Sequence, residues 1–116
     1  MGGTESTPQE IPAKDKETID KLLNGNKVVV FSKTYCSYCK EVKKIFADIG
    51  ENFEAVELDK RKDGKDIQSA LAIMTKGATV PRVFICGKFV GGSSDVKDHY
   101  KSGKLVSLLE GCSSEG

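Results

Sequence analysis

The sequence predicts an α/β domain built on a small four-stranded mixed sheet with helices on both faces. Three observations carry this expectation. The run KVVVF at 27–31 is continuously apolar and mostly β-branched, which suits a strand buried on both faces, as in a parallel sheet. It is followed by a helical pattern and a second strand pattern, and that succession implies a right-handed parallel crossover. RVFICGKFVGG at 82–92 then reads as two short strands around a Gly-containing turn, a hairpin that adds antiparallel strands.

Taken in order, the opening MGGTESTPQEIP is rich in Gly, Thr, Ser and Pro, with Ile11 as its apolar side chain. It cannot bury enough surface to order itself, so residues 1–13 are expected to be a flexible tail. Residues 14–23 carry Ile19, Leu22 and Leu23 on one helical face, and NGN at 24–26 ends that helix. After the strand at 27–31, apolar residues fall at Val42, Ile45, Phe46 and Ile49, the spacing of an amphipathic helix, which Gly50 closes. NFEAVEL at 52–58 reads as the second strand. Residues 63–75 form another amphipathic pattern with Ile67, Ala70, Leu71 and Met74 on one face. Two helical stretches, 95–101 and 104–110, follow the hairpin. One domain over 14–112 is expected, with a short tail at 113–116.

Composition narrows the function. A chain of 116 residues supports one modest core. Eighteen basic and 17 acidic residues give a net charge of +1, so no basic face argues for nucleic acid. No apolar run approaches the ~20 residues that span a bilayer, and no membrane association is expected. No secretory pattern opens the chain, so a reducing, cytoplasmic setting is expected, with Cys36, Cys39, Cys86 and Cys112 as thiols rather than staples. MGGTES also fits the permissive myristoylation pattern, with Gly2 and Ser6 in place. A plain tail is the competing reading, because a single acyl chain anchors weakly.

The chemistry concentrates in KTYCSYCKEVKKIF at 33–46. Cys36 lies at the C-terminal end of a buried strand and opens a helix, where α/β sheets tend to hold their sites. Unpaired backbone N–H groups and the helix dipole favour negative charge there, and Lys33 and Lys40 add to it. The thiolate is the nucleophile, so Cys36 is the expected attacking residue. Cys39, one turn on, is a neighbour across the helix and the expected resolving thiol. A structural zinc site would need four ligands. Cys86 and Cys112 are isolated, however, and His99 is the single histidine. A Cys-His or Ser-His-Asp hydrolase would have to use His99, and nothing near it in sequence argues for that.

KTYCSYC at 33–39, TVP at 79–81 and GGSSD at 91–95, in that order, resemble a dithiol glutaredoxin over 14–112. The resemblance implies a thioredoxin-like fold and a glutathione-dependent thiol–disulfide oxidoreductase. It implies that Pro81 is a cis-proline facing the cysteines, against an ordinary trans proline at a strand start. It also implies a glutathione groove. Lys33 would meet the glycine carboxylate with Gln68 assisting, and Thr79 and Val80 would pair their backbone with the cysteinyl part. Tyr38 would flank the sulfur, and Gly92, Ser94 and Asp95 would hold the γ-glutamyl end. Blander readings stand beside these: a solvated Lys33, an exposed helical Gln68, and a GGSSD that only exits a hairpin and supplies a Ser/Asp N-cap.

Two residues depart from the pattern. Ser37 replaces the proline of Cys-Pro-Tyr-Cys, and Ala78 stands where many members have a basic residue that Lys76 would have to replace. The expected partners are glutathione and glutathionylated or disulfide-containing proteins. A thioredoxin would typically carry Trp-Cys-Gly-Pro-Cys, and this chain has no Trp. The alternative function is a [2Fe–2S] carrier or sensor. The apo chain would be a monomer, and two chains would bridge a cluster through Cys36 and two glutathiones. Cys86 and Cys112, outside any motif, are expected to be unreactive or incidentally oxidisable thiols.

Overall fold

A computed structural model describes residues 10–112. The Gly2 pattern and the 113–116 tail lie outside the described residues, as does most of the 1–13 tail. The chain runs α1 (Ala13–Gly25), β1 (Val28–Ser32), α2 (Ser37–Asp48), β2 (Glu54–Glu57), α3 (Gly64–Thr75), β3 (Arg82–Ile85), β4 (Lys88–Gly91), α4 (Ser93–Ser102) and α5 (Lys104–Glu110). The sheet order is β2-β1-β3-β4. β1 pairs with β2 in parallel and with β3 antiparallel, and β3 and β4 form the hairpin.

All five residues of β1 are buried, because each face of the sheet meets its own helices. Val29 and Phe31 point into one cluster with Ile19 and Leu23 of α1 and Ile67 and Leu71 of α3. Val28 and Val30 point into the other, with Val42 and Phe46 of α2, Val96 of α4, and Leu105 and Leu109 of α5. Alternation along the strand thus feeds two cores, which is why β1 reads as an unbroken apolar run. Phe31 is fully buried, with its ring edge-on to Phe84 at 5.6 Å between centroids.

Three local differences separate sequence from structure. The second strand is only Glu54–Glu57, and the chain then tightens into a 3-10 turn, Leu58–Lys60. Gly64 makes the tightening possible, since a Cβ there would run into the Leu58 carbonyl oxygen. At the other end of the fold the N-cap position of α4 is Gly92, and the acidic cap comes from Asp95 three residues on. The Gly92 N–H donates to the Asp95 carboxylate at 3.1 Å. Ile11, assigned to the tail, packs against the α1–α3 cluster.

The largest correction concerns Cys86 and Cys112, which are joined as a disulfide rather than standing as separate thiols. The β3–β4 turn and the end of α5 bring their Cα atoms to 5.7 Å, inside the range a disulfide spans. Cys86 sits in the turn with φ 53, and its N–H donates to the Lys27 carbonyl beside the start of β1.

Candidate active site

β1 ends at Ser32, and the chain turns at once, with the Cys36 N–H donating to the Lys33 carbonyl at 3.0 Å. Cys36 is the N-cap of α2, with extended backbone angles of φ −90 and ψ 116. Its sulfur accepts from the Cys39 N–H at 3.2 Å. A sulfur therefore occupies the place where a capping oxygen usually satisfies a free backbone donor. No acidic residue lies in the first turn of α2, so nothing in that turn offsets the positive end of the dipole. The Cys36 sulfur also lies 3.8 Å from the Val80 carbonyl oxygen.

The two thiols differ in their surroundings. Cys36 is half-buried, whereas Cys39 is completely buried. Burial pushes the Cys39 thiol up to about 11 from its ordinary 9.0, and its hydrogen bond with Cys36 pushes the same way. Cys39 therefore keeps its proton at neutral pH. Tyr35 and Tyr38 stand exposed on either side, at 71% and 58%. Lys97 of α4 lies 5.4 Å from the Tyr38 ring centroid and pairs with Glu41 of α2.

The residues singled out for the groove line two clefts. Lys33 and Gln68 line one, together with Tyr35, Asp59 and Lys65. Tyr38, Thr79, Val80 and Pro81 line the second, of about 490 Å³. Gly92, Ser94 and Asp95 complete its far wall. The Val80–Pro81 peptide bond is cis. Lys76, the left-handed C-cap of α3, is not among the residues that line either cleft.

Two of these residues have internal work as well, the first unread in the sequence and the second expected there as a cap. The Gln68 amide donates to the Ala78 carbonyl at 2.6 Å, tying α3 to the segment that leads into Val80. The Asp95 carboxylate caps α4. Gly91 is the close neighbour that permits this. Its φ is +143, and a Cβ would meet the Asp95 carboxylate. Sequence reasoning missed Asp59 altogether. It lies outside every motif, and only its position two residues past Glu57, the last β2 partner of β1, could have pointed to it. Among the described residues no group of three or more His, Cys, Asp or Glu side chains is placed to hold a metal ion, and no helix is long and apolar enough to cross a membrane.

Comparison with known proteins bears on this arrangement. The glutaredoxin family model matches residues 28–90. The mitochondrial glutaredoxin-2 of Pongo abelii is 42% identical over 109 residues, covering 94% of this chain and 68% of that protein. The crystal structure of a buckwheat glutaredoxin–glutathione complex superimposes with a TM-score of 0.83 at 43% identity, over 95% of this chain and 96% of the other. The holo form of glutaredoxin C1 from Populus tremula x tremuloides gives 0.82 at 41% identity, over 86% and 99%.

Proposed function

This chain belongs to the glutaredoxin family of thiol–disulfide oxidoreductases, and we propose that it reduces protein–glutathione mixed disulfides and protein disulfides, with Cys36 attacking and Cys39 resolving. The observation that carries the proposal is the division of labour between the two sulfurs. One is half-exposed at a helix N-cap and accepts an N–H, and the other is buried and protonated one turn below.

In the first reaction the Cys36 thiolate attacks the glutathione sulfur of the mixed disulfide. The protein sulfur leaves and takes up a proton, and Cys36 becomes glutathionylated. A second glutathione thiolate attacks that sulfur, releasing glutathione disulfide and restoring Cys36. With a protein disulfide, Cys36 forms a mixed disulfide with the substrate and Cys39 attacks the Cys36 sulfur, freeing the substrate as a dithiol. Two glutathiones then reduce the Cys36–Cys39 bond. The order follows from the surroundings. The Cys36 sulfur helps to hold the proton on Cys39, and that influence falls once the sulfur is bonded to substrate.

Glutathione as the reducing thiol is supported by the buckwheat complex and by the clefts beside Cys36. The Lys33 ammonium suits the glycine carboxylate, with Gln68 beside it. The backbone of Thr79 and Val80 suits the cysteinyl part in a short strand-like pairing. Gly92, Ser94 and the start of α4 suit the γ-glutamyl carboxylate, and Asp95 suits its ammonium. The compartment is not selected by family membership, since the Pongo abelii relative is a mitochondrial protein.

The test is a pair of variants. Cys36→Ser abolishes both activities. Cys39→Ser keeps the deglutathionylation, which needs one thiol, and impairs reduction of protein disulfides. The reverse pattern would overturn the assignment.

A second reading, a [2Fe–2S] form, rests on Cys36 as a half-exposed free thiol. One chain does not supply a ligand set, so two chains and two glutathiones would have to complete it, which is chemically a four-sulfur site. The bound cluster would occupy the Cys36 sulfur and silence the reductase. Anaerobic reconstitution with iron, sulfide and glutathione, followed by visible spectroscopy and sizing, tests it. A colourless monomer rules it out.

A further inference from the structure

Asp59 sits in the 3-10 turn directly after β2. The parallel register ends with Ser32 opposite Glu57. Two residues further along each chain, Thr34 and Asp59 still face one another. Both oxygens of the Asp59 carboxylate are committed to Thr34. One accepts the Thr34 N–H at 3.0 Å, and the other accepts the Thr34 hydroxyl at 2.5 Å. The turn that presents Asp59 is fixed from behind, because Gly64 lets α3 lie against the Leu58 carbonyl.

Thr34 is the middle of the short connection between β1 and α2. Lys33 on one side lines the cleft, and Cys36, two residues on, caps α2 and bonds back to Lys33. Beyond the β1 pairing, Asp59 supplies two bonds that tie this connection to another element. We propose that Asp59 is a positioning residue for the reaction. Through its two-point grip on Thr34 it sets where the Cys36 sulfur stands at the start of α2 and where Lys33 stands at the rim. This rests on the reading that Cys36 is the attacking thiol.

The alternative is that Asp59 only caps an exposed loop, and the two roles predict opposite signs. Removing a carboxylate near a thiolate relieves electrostatic repulsion and speeds its reactions. Removing a positioning contact moves the sulfur away from the Cys39 N–H and the helix start that stabilise its negative charge, and slows them. Asp59 is exposed, so its loss should leave the fold intact.

The experiment measures the rate of Cys36 alkylation by iodoacetamide at fixed pH in the full chain, with the labelled residue located by mass. Asp59→Ala should slow alkylation by roughly 3- to 10-fold, the size of a lost helix-start contact. Thr34→Val, which loses the hydroxyl and keeps the shape, should give part of that loss, and Thr34→Ser should restore it. Circular dichroism checks folding, and Thr34→Val carries the test if Asp59→Ala does not fold. Unchanged or faster alkylation in Asp59→Ala and Thr34→Val overturns the proposal. First labelling of the unsubstituted chain at Cys39 overturns the underlying assignment instead. No glutathione is present, so failure of the glutathione reading leaves this result standing.

Discussion

Replacing Cys112 with Ser removes the Cys86–Cys112 bond, and the cost can be worked from the length of chain it closes. The two cysteines are 26 residues apart in sequence. Closing a loop of that size restricts the unfolded chain by about 3.5 kcal/mol in the chain-entropy treatment. For a domain of about 100 residues this corresponds to roughly 14–17 °C in Tm. The bond ties the β3–β4 turn to the end of α5, whose Leu105 and Leu109 belong to one of the two cores, so the loss should appear as global destabilisation. The assay is thermal unfolding of the original chain and Cys112→Ser, each with and without a dithiol reductant. The original chain should fall to the level of the variant when reduced, and the variant should respond little. Any contribution from Cys36 and Cys39 is present in both chains and cancels in the comparison. Equal Tm values for the two oxidised chains would refute the reasoning.

The raised Cys39 thiol makes stability depend on alkaline pH. The folded chain holds that proton up to about 11, whereas the unfolded thiol gives it up near 9.0. The stabilisation is therefore complete below 9.0 and is lost as pH rises toward about 11, amounting to about 2–3 kcal/mol at 1.36 kcal/mol per unit. Denaturant titrations at pH 8 and 10.5 should show this fall in the original chain and less of it in Cys39→Ser. In the groove, Lys33→Gln and Asp95→Ala should each raise the apparent KM for glutathione by about three- to a hundredfold, the range for one charge-assisted contact. Asp95→Ala should also cost about 1 kcal/mol of stability through the lost cap of α4. Unchanged glutathione kinetics in both variants would remove these residues from the site.

Much of the architecture was legible because it is periodic. The apolar spacing from Val42 to Ile49 and from Ile67 to Met74 gave α2 and α3, and the unbroken run at 27–31 gave a strand facing two cores. The placement of Cys36 at the start of a helix followed from the same reading. What escaped has no period. The grip of Asp59 on Thr34 and of Gln68 on Ala78 joins a side chain to a distant backbone segment, and no local pattern records such a pairing. Cys86 and Cys112 are brought together by the return of α5 across the hairpin, a property of the topology rather than of either segment. The groove residues were legible through resemblance and the capping by Asp95 through the GGSSD pattern, whereas the bond from Gln68 to Ala78 was not.

The two sulfur pairs lie at opposite ends of β1. Cys36 follows its last residue, and Cys86 is bonded beside its start. Five residues of strand separate these ends by roughly 16 Å, and thiol–disulfide exchange requires one sulfur to attack another directly. Electrons therefore have no direct route from the Cys36–Cys39 pair to the Cys86–Cys112 bond within one molecule. Any such traffic needs a carrier thiol, glutathione or another copy of the chain, and without one the Cys86–Cys112 bond stays apart from the chemistry at Cys36.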